Sequence, residues 1–171
     1  SDYSLPDLKE NLDLLRTSGF EVGLHGSIGS HREKKRLSSD LERIGPVQGI
    51  RFHYLGFDPN RTWQLLEDEG LIYDSTLGFA EKPGFRHGFA LPFYHYEFER
   101  RKPHSVLEIP LVLMDSTLRT YLGMDPEACR GTISSLMDET LRWNGCFTVL
   151  WHNTYFTHGK YRGWEELYRY I

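Results

Sequence analysis

Apolar positions along the chain follow two alternating rhythms, one at helical spacing and one in short continuous runs. Leu8, Leu12 and Leu15 recur every three to four residues, and Gly19 closes that segment. Phe20 to Leu24 then reads as a buried strand. From about His31 to Ile44 the residues Leu37, Leu41 and Ile44 share one helical face, and Gly45-Pro46 stops it. Val47 to Tyr54 reads as a second strand. Asp58-Pro59 supplies a cap and a first helical position, Trp63, Leu65 and Leu66 form the stripe, and Gly70 ends it. Leu71 to Thr76 reads as a third strand and Val106 to Met114 as a fourth. Asp125-Pro126 opens a helix that runs to about Asn144-Gly145. Cys146 to Trp151 is a further strand, and Trp164 to Tyr170 a last helix. Between Leu77 and about Pro103 no period holds. That stretch is rich in Gly, Pro and aromatics, as functional insertions often are. Strand–helix alternation of this kind predicts a parallel α/β fold. With no repeat, low-complexity tract or internal boundary, the reading is one domain over residues 1–171.

Composition narrows the function classes. The 171 residues carry a net charge of -4, with 39% hydrophobic and 26% charged residues, which is ordinary for a globular domain. Lys34, Lys35 and Arg36 are flanked by Glu33 and Asp40, so they read as a solvated helix face, and no nucleic-acid partner is expected. Cys129 and Cys146 make no disulfide framework or zinc knuckle and fit a reducing, cytoplasmic setting. No run approaches the roughly 18 apolar residues a membrane span needs. The opening Ser-Asp-Tyr-Ser-Leu-Pro is unlike a signal peptide and leads straight into a helical segment, as a cut end would. Aromatics reach 14%, enough both to fill a core and to offer flat faces to the C–H surface of a sugar ring.

In parallel α/β folds reactive groups gather where strands end. The predicted strand ends carry His25, then Arg51 with His53, then Asp74, Asp115, and His152 with Asn153. His25 suits a metal ligand through neutral imidazole, or a hydrogen-bonded structural role. His152 suits a general acid with a carboxylate neighbour, or a satisfied buried histidine. Arg51 and Asp74 suit a carboxylate–guanidinium pair, either in a site or as plain structure. Asp115 and Asn153 read more simply as loop caps, and His31 as a surface residue. His53 lies two residues past Arg51, on the same side of a strand. His87, His95, His104 and His158 fall in loops. No phosphate-binding glycine loop, His-Glu-x-x-His or Gly-x-Ser-x-Gly elbow is present.

Five segments in order resemble the polysaccharide deacetylase family, the carbohydrate esterases that include chitooligosaccharide deacetylases. Phe-Glu-Val-Gly-Leu-His-Gly-Ser at 20–27 is similar to that family's second motif, Glu-Ile/Val-Gly-x-His-Ser/Thr-x-x-His. Gly-Ile-Arg-Phe-His-Tyr at 49–54 is similar to its third, and Tyr-Asp-Ser-Thr-Leu at 73–77 to its fourth region. Leu-Glu-Ile-Pro-Leu at 107–111 resembles the next barrel strand, and Val-Leu-Trp-His-Asn at 149–153 the fifth motif. The resemblance implies a (β/α) barrel of about seven strands, incomplete or distorted because its first strand is missing. It implies a divalent metal, Zn²⁺ in the usual case, which polarises an acetamide carbonyl and activates water. By the same resemblance His25 is a metal ligand, His152 the acid, and Arg51 and Asp74 supporting catalytic groups. Candidate substrate contacts are His53, Tyr54, Arg86, Trp151 and Asn153.

Two departures stand out. Gly29 occupies the place of the second metal histidine, four residues after His25, and His31 would serve there only with a rearranged loop. The family's Thr-Phe-Asp-Asp motif has no counterpart, since Asp2 and Asp7 lie in the wrong context. Three readings follow: a metal-dependent deacetylase of N-acetylated sugars with an impaired metal site, a catalytically inactive glycan-binding relative, and a metal-free hydrolase using His152 with Asp74. An open barrel edge would leave room for a homodimer.

Overall fold

The computed structural model describes residues 6–157 and 159–171, so Asp2 and His158 lie outside the described residues. The contacts group the described chain into two units: the residues up to Thr76 with Tyr94–Glu108, and Leu77–Phe93 with Ile109–Ile171.

The first unit is a parallel-rich sheet with helices. Its strands are β1 (Leu24–Gly26), β2 (Gly49–Phe52), β3 (Tyr73–Asp74), β4 (Phe93–Glu97) and β5 (Lys102–Glu108), in the order β1-β2-β3-β5-β4. The pairs β1–β2, β2–β3 and β3–β5 are parallel. Helix α1 (Lys9–Thr17) precedes β1, while α2 (Lys34–Ile44) and α3 (Thr62–Asp68) lie in the connections from β1 to β2 and from β2 to β3. Leu24, Ile50, Phe52, Leu66 and Val106 meet Leu37 of α2 in one apolar cluster, with Leu41 and Ile44 partly buried against it. The α2 stripe read from the sequence is therefore the face that packs. The α1 stripe behaves differently: no α1 residue is buried, and Leu15 is exposed.

Several strands are shorter than their apolar runs. Phe20 is exposed and precedes β1. β2 stops at Phe52, and His53–Leu55 turn into a single 3₁₀ step. Asp58 does not cap α3 directly. It accepts from the Asn60 N–H in a preceding turn, and the helix begins at Thr62.

A buried polar knot joins α3 to β5. His104 is 5% exposed and its Nδ1 lies 2.9 Å from Glu67 Oε2, with Glu97 Oε2 3.6 Å from Nε2. Its ring stacks with those of Trp63 and His95. Burial alone would raise the Glu67 carboxyl, but hydrogen bonds from His104 and Ser105 outweigh it and hold the group below its usual range. A lowered carboxyl contributes stability above its unfolded value and loses it as the pH falls through the folded one. His104→Ala should therefore cost about 2–3 kcal/mol at neutral pH, because it strands a half-desolvated carboxylate. Its penalty should shrink on acidification, which urea unfolding at neutral and acid pH would show. An equal penalty at both would refute this account.

The second unit holds β6 (Leu113–Met114) paired in parallel with β7 (Val149–Leu150), and helices α4 (Pro126–Arg142) and α5 (Trp164–Tyr170). The long apolar run 106–114 is thus two strands. Pro110 lies in the break, where it has no N–H to give to a ladder. Asp125 caps α4 by accepting from the Ala128 N–H at 2.8 Å, with Pro126 at the first helical position. Leu113, Leu118, Cys129, Ile133, Trp164 and Leu167 form the core, and burial pushes the Cys129 thiol up to about 11. No helix among the described residues is long and apolar enough to cross a membrane.

Candidate functional site

In the first unit the parallel register places chemistry along the carboxyl ends of the strands. His25 is opposite Arg51, and Asp74 is opposite both Ile50 and Glu108. His25 Nδ1 lies 2.9 Å from the Arg51 carbonyl oxygen. A carbonyl only accepts, so Nδ1 carries the proton and Nε2 does not in the neutral ring. His25 Nε2 is 3.2 Å from His53 Nδ1, which donates to it in the neutral pair. The His53 ring stacks on Tyr54, with centroids 4.1 Å apart. Tyr54 and Leu55 both have positive φ, 56° and 54°, so the step immediately after His53 is strained. His53 follows an extended Phe52 two residues after Arg51, and it meets the ring of His25, the register partner of Arg51.

Beneath this pair lies a buried charge cluster. Asp74 and Glu108 are fully buried. Burial raises the Asp74 carboxyl, against hydrogen bonds from Glu108 and Thr76 and the charge of Arg51. Its oxygens accept from the Thr76 N–H at 2.9 Å and hydroxyl at 2.6 Å. Arg51 donates to the Ser75 carbonyl at 2.7 Å and hydroxyl at 2.8 Å. Burial lowers its pKa while Asp74 and Glu108 oppose that shift.

His31 packs its ring against Phe52 and Gly56, and burial, then Arg32, lowers its pKa. Gly29 has φ of 88°, a conformation a histidine side chain would resist. Its glycine is therefore a backbone requirement of this loop.

In the second unit the carboxyl ends of β6 and β7 bring together Asp115 and His152. The Asp115 carboxylate is fully buried, whereas the His152 side chain is 45% exposed. Asp115 Oδ1 accepts from His152 Nδ1 at 2.7 Å and from the Ser116 hydroxyl at 3.0 Å. Short hydrogen bonds from the Ser116 and His152 backbone N–H groups complete its shell. The carboxylate thereby fixes the tautomer of His152, with the proton on Nδ1 and proton exchange at Nε2. Asp115 reads as a cap in the sequence. Its pairing, 37 residues away, depends on the β6–β7 register.

The remaining candidates in this unit have varied settings. Arg86 is exposed and donates to the Gly78 carbonyl at 3.1 Å. Trp151 is half-buried in a ring cluster with Tyr155, Trp164 and Tyr168. Asn153 is exposed and opens a 3₁₀ step.

A catalytic zinc ordinarily takes three protein ligands. His25, with Nδ1 held by a carbonyl, is oriented as metal-binding histidines are, and His53 adds a second nitrogen. Among the described residues no group of three or more His, Cys, Asp or Glu side chains is placed to hold a metal ion. The described donors thus do not fit a complete catalytic zinc centre. Calorimetric titration with Zn²⁺ should show only weak binding that His53→Ala abolishes. Tight binding that survives this change would overturn the two-imidazole assignment.

The fold is mixed α/β with a parallel-rich sheet. Among solved structures, the chain is similar to the crystal structure of a "putative polysaccharide deacetylase involved in O-antigen biosynthesis" from Bordetella bronchiseptica, at 16% identity and a TM-score of 0.59. The match covers 98% of this chain and 75% of that one. At this identity the likeness concerns the fold. No protein-family model matches the chain, and no curated protein does.

Proposed function

We propose that the chain is a deacetylase-like hydrolase acting on acylated amino sugars, with His152 as its proton-transferring group. The observation that carries this reading is the Asp115–His152 pair, a buried carboxylate gripping an exposed imidazole at adjacent ends of two parallel strands. When a tetrahedral amide adduct collapses, the C–N bond breaks and its electron pair moves to nitrogen. The amine then takes a proton, which His152 Nε2 is oriented to supply, while Asp115 holds the ring and stabilises its charged form. The reading carries with it an incomplete (β/α) barrel of about seven strands.

A second reading, a glycan-binding relative without turnover, is favoured by one observation: Gly29 stands at positive φ where the family pattern has a ligand. The test is acetate release from N-acetylchitooligosaccharides and from an N-acetylated amino-sugar polysaccharide, with and without added Zn²⁺. Release that depends on His152 supports the hydrolase. Binding of these glycans with no release under either condition supports the second reading and overturns the first.

A further inference from the structure

The second unit contains a cavity of about 310 Å³ that the catalytic reading does not use, lined by Phe85, Phe89, Ala90, Leu91, Glu139 and Trp143, with Gly88. That volume is at the small end of the roughly 300–1,000 Å³ typical of small-ligand sites. We propose that it is a subsite for one pyranose ring of a neutral glycan, stacked on Trp143. The proposal rests on the carbohydrate-directed reading above and adds a binding position to it.

The cavity is built by backbone as well as side chains. The Cys146 N–H donates to the Ala90 carbonyl at 2.8 Å, tying the aromatic loop to the chain just beyond α4. Gly145 makes that approach feasible, because a Cβ there would sit 2.7 Å from Ala90 Cβ and 3.1 Å from its carbonyl oxygen. Trp143 donates its indole N–H to Glu139 Oε1 at 2.7 Å. This bond uses the only polar atom of the ring and restrains its orientation, so the indole offers an apolar face. Trp143 is nonetheless 65% exposed and Phe89 44% exposed. Two large aromatics kept in solvent around one cavity are an unfavourable surface unless something covers them.

The charges select the occupant. Glu139 Oε2 pairs with Arg142 Nη1 at 3.0 Å, so its charge is largely offset and a cationic ligand gains little. A hydrocarbon ligand would leave the Glu139 carboxylate against an apolar surface. A neutral sugar ring satisfies both groups: its C–H face covers the indole, and its hydroxyls donate to the carboxylate.

The test uses the full chain carrying His152→Ala, to prevent turnover, titrated with N-acetylchitotetraose by calorimetry. Adding Trp143→Ala should weaken binding about five- to tenfold, the range expected for losing one aromatic stacking partner. Trp143→Phe should restore most of it. Thermal melting should not move, since the ring is exposed. An unchanged Kd in the Trp143→Ala variant, or no binding of the tetrasaccharide at all, overturns the subsite. Acetate release with His152 present reports separately on the hydrolase. Release with a Trp143-independent KM sinks only the subsite, and Trp143-dependent binding without release sinks only the hydrolase.

Discussion

His152→Ala should lower acetate release about 10²–10⁴-fold, the usual contribution of a positioned general acid. The fold should survive, because the imidazole is 45% exposed and its removal opens no apolar cavity. Asp115→Asn is the sharper variant. The carboxylate accepts from the His152 ring, the Ser116 hydroxyl and two backbone N–H groups, and it donates to none of them. An asparagine has one acceptor oxygen, so its amide turned to the ring would favour the wrong tautomer. The expected loss in kcat is again about 10²–10⁴-fold, with KM moving little. Some stability should go as well, about 1–3 kcal/mol, because buried N–H groups lose an acceptor. If His152→Ala keeps full turnover, the dyad has no chemical role. If Asp115→Asn reduces turnover only in proportion to its unfolded fraction, Asp115 is structural.

Arg51→Met should destabilise the chain by about 3 kcal/mol, whereas Asp74→Asn should cost less than about 1.5 kcal/mol. The asymmetry follows from the buried cluster. Removing the guanidinium strips two hydrogen bonds from Ser75 and leaves Asp74 and Glu108 without their neighbouring cation. Asparagine at 74 resembles the protonated acid that burial favours, and its oxygen can still accept from Thr76. The pH dependence carries a definite sign. Because the folded Asp74 carboxyl titrates above its unfolded value, its contribution is complete below the unfolded value and is lost as pH rises through the folded one. Asp74→Asn lacks that loss, so its stability relative to the parent should improve from acid toward alkaline pH. Urea midpoints at constant m would measure both effects. An Asp74→Asn penalty as large as that of Arg51→Met, or one that grows with pH, would contradict this assignment.

Local signals in the sequence survived folding best. The Asp125-Pro126 start of α4 needs only its own first turn, and the structure has the capping bond there. The α2 stripe was legible because helical spacing alone decides which side of α2 meets a core. Strand extents were less legible, since an apolar run does not say where pairing stops. Val106–Met114 breaks around Pro110, and Val47–Tyr54 ends in a turn. The site was legible as strand-end chemistry but not as pairings. His53 meets His25 through the β1–β2 register, which sets His25 opposite Arg51. Asp115 finds His152, and Glu108 finds Asp74, through strand register between distant segments. No spacing rule within one segment could reveal either.

The left-handed step at Tyr54 and Leu55 has a bearing on how the protein would respond to engineering. Two non-glycine residues in that region forfeit conformational energy, about 1–2 kcal/mol each. A screen for heat tolerance alone would drift toward glycine at these positions. It would thereby slacken the turn that follows His53 and holds Tyr54 against its ring, trading local precision for durability.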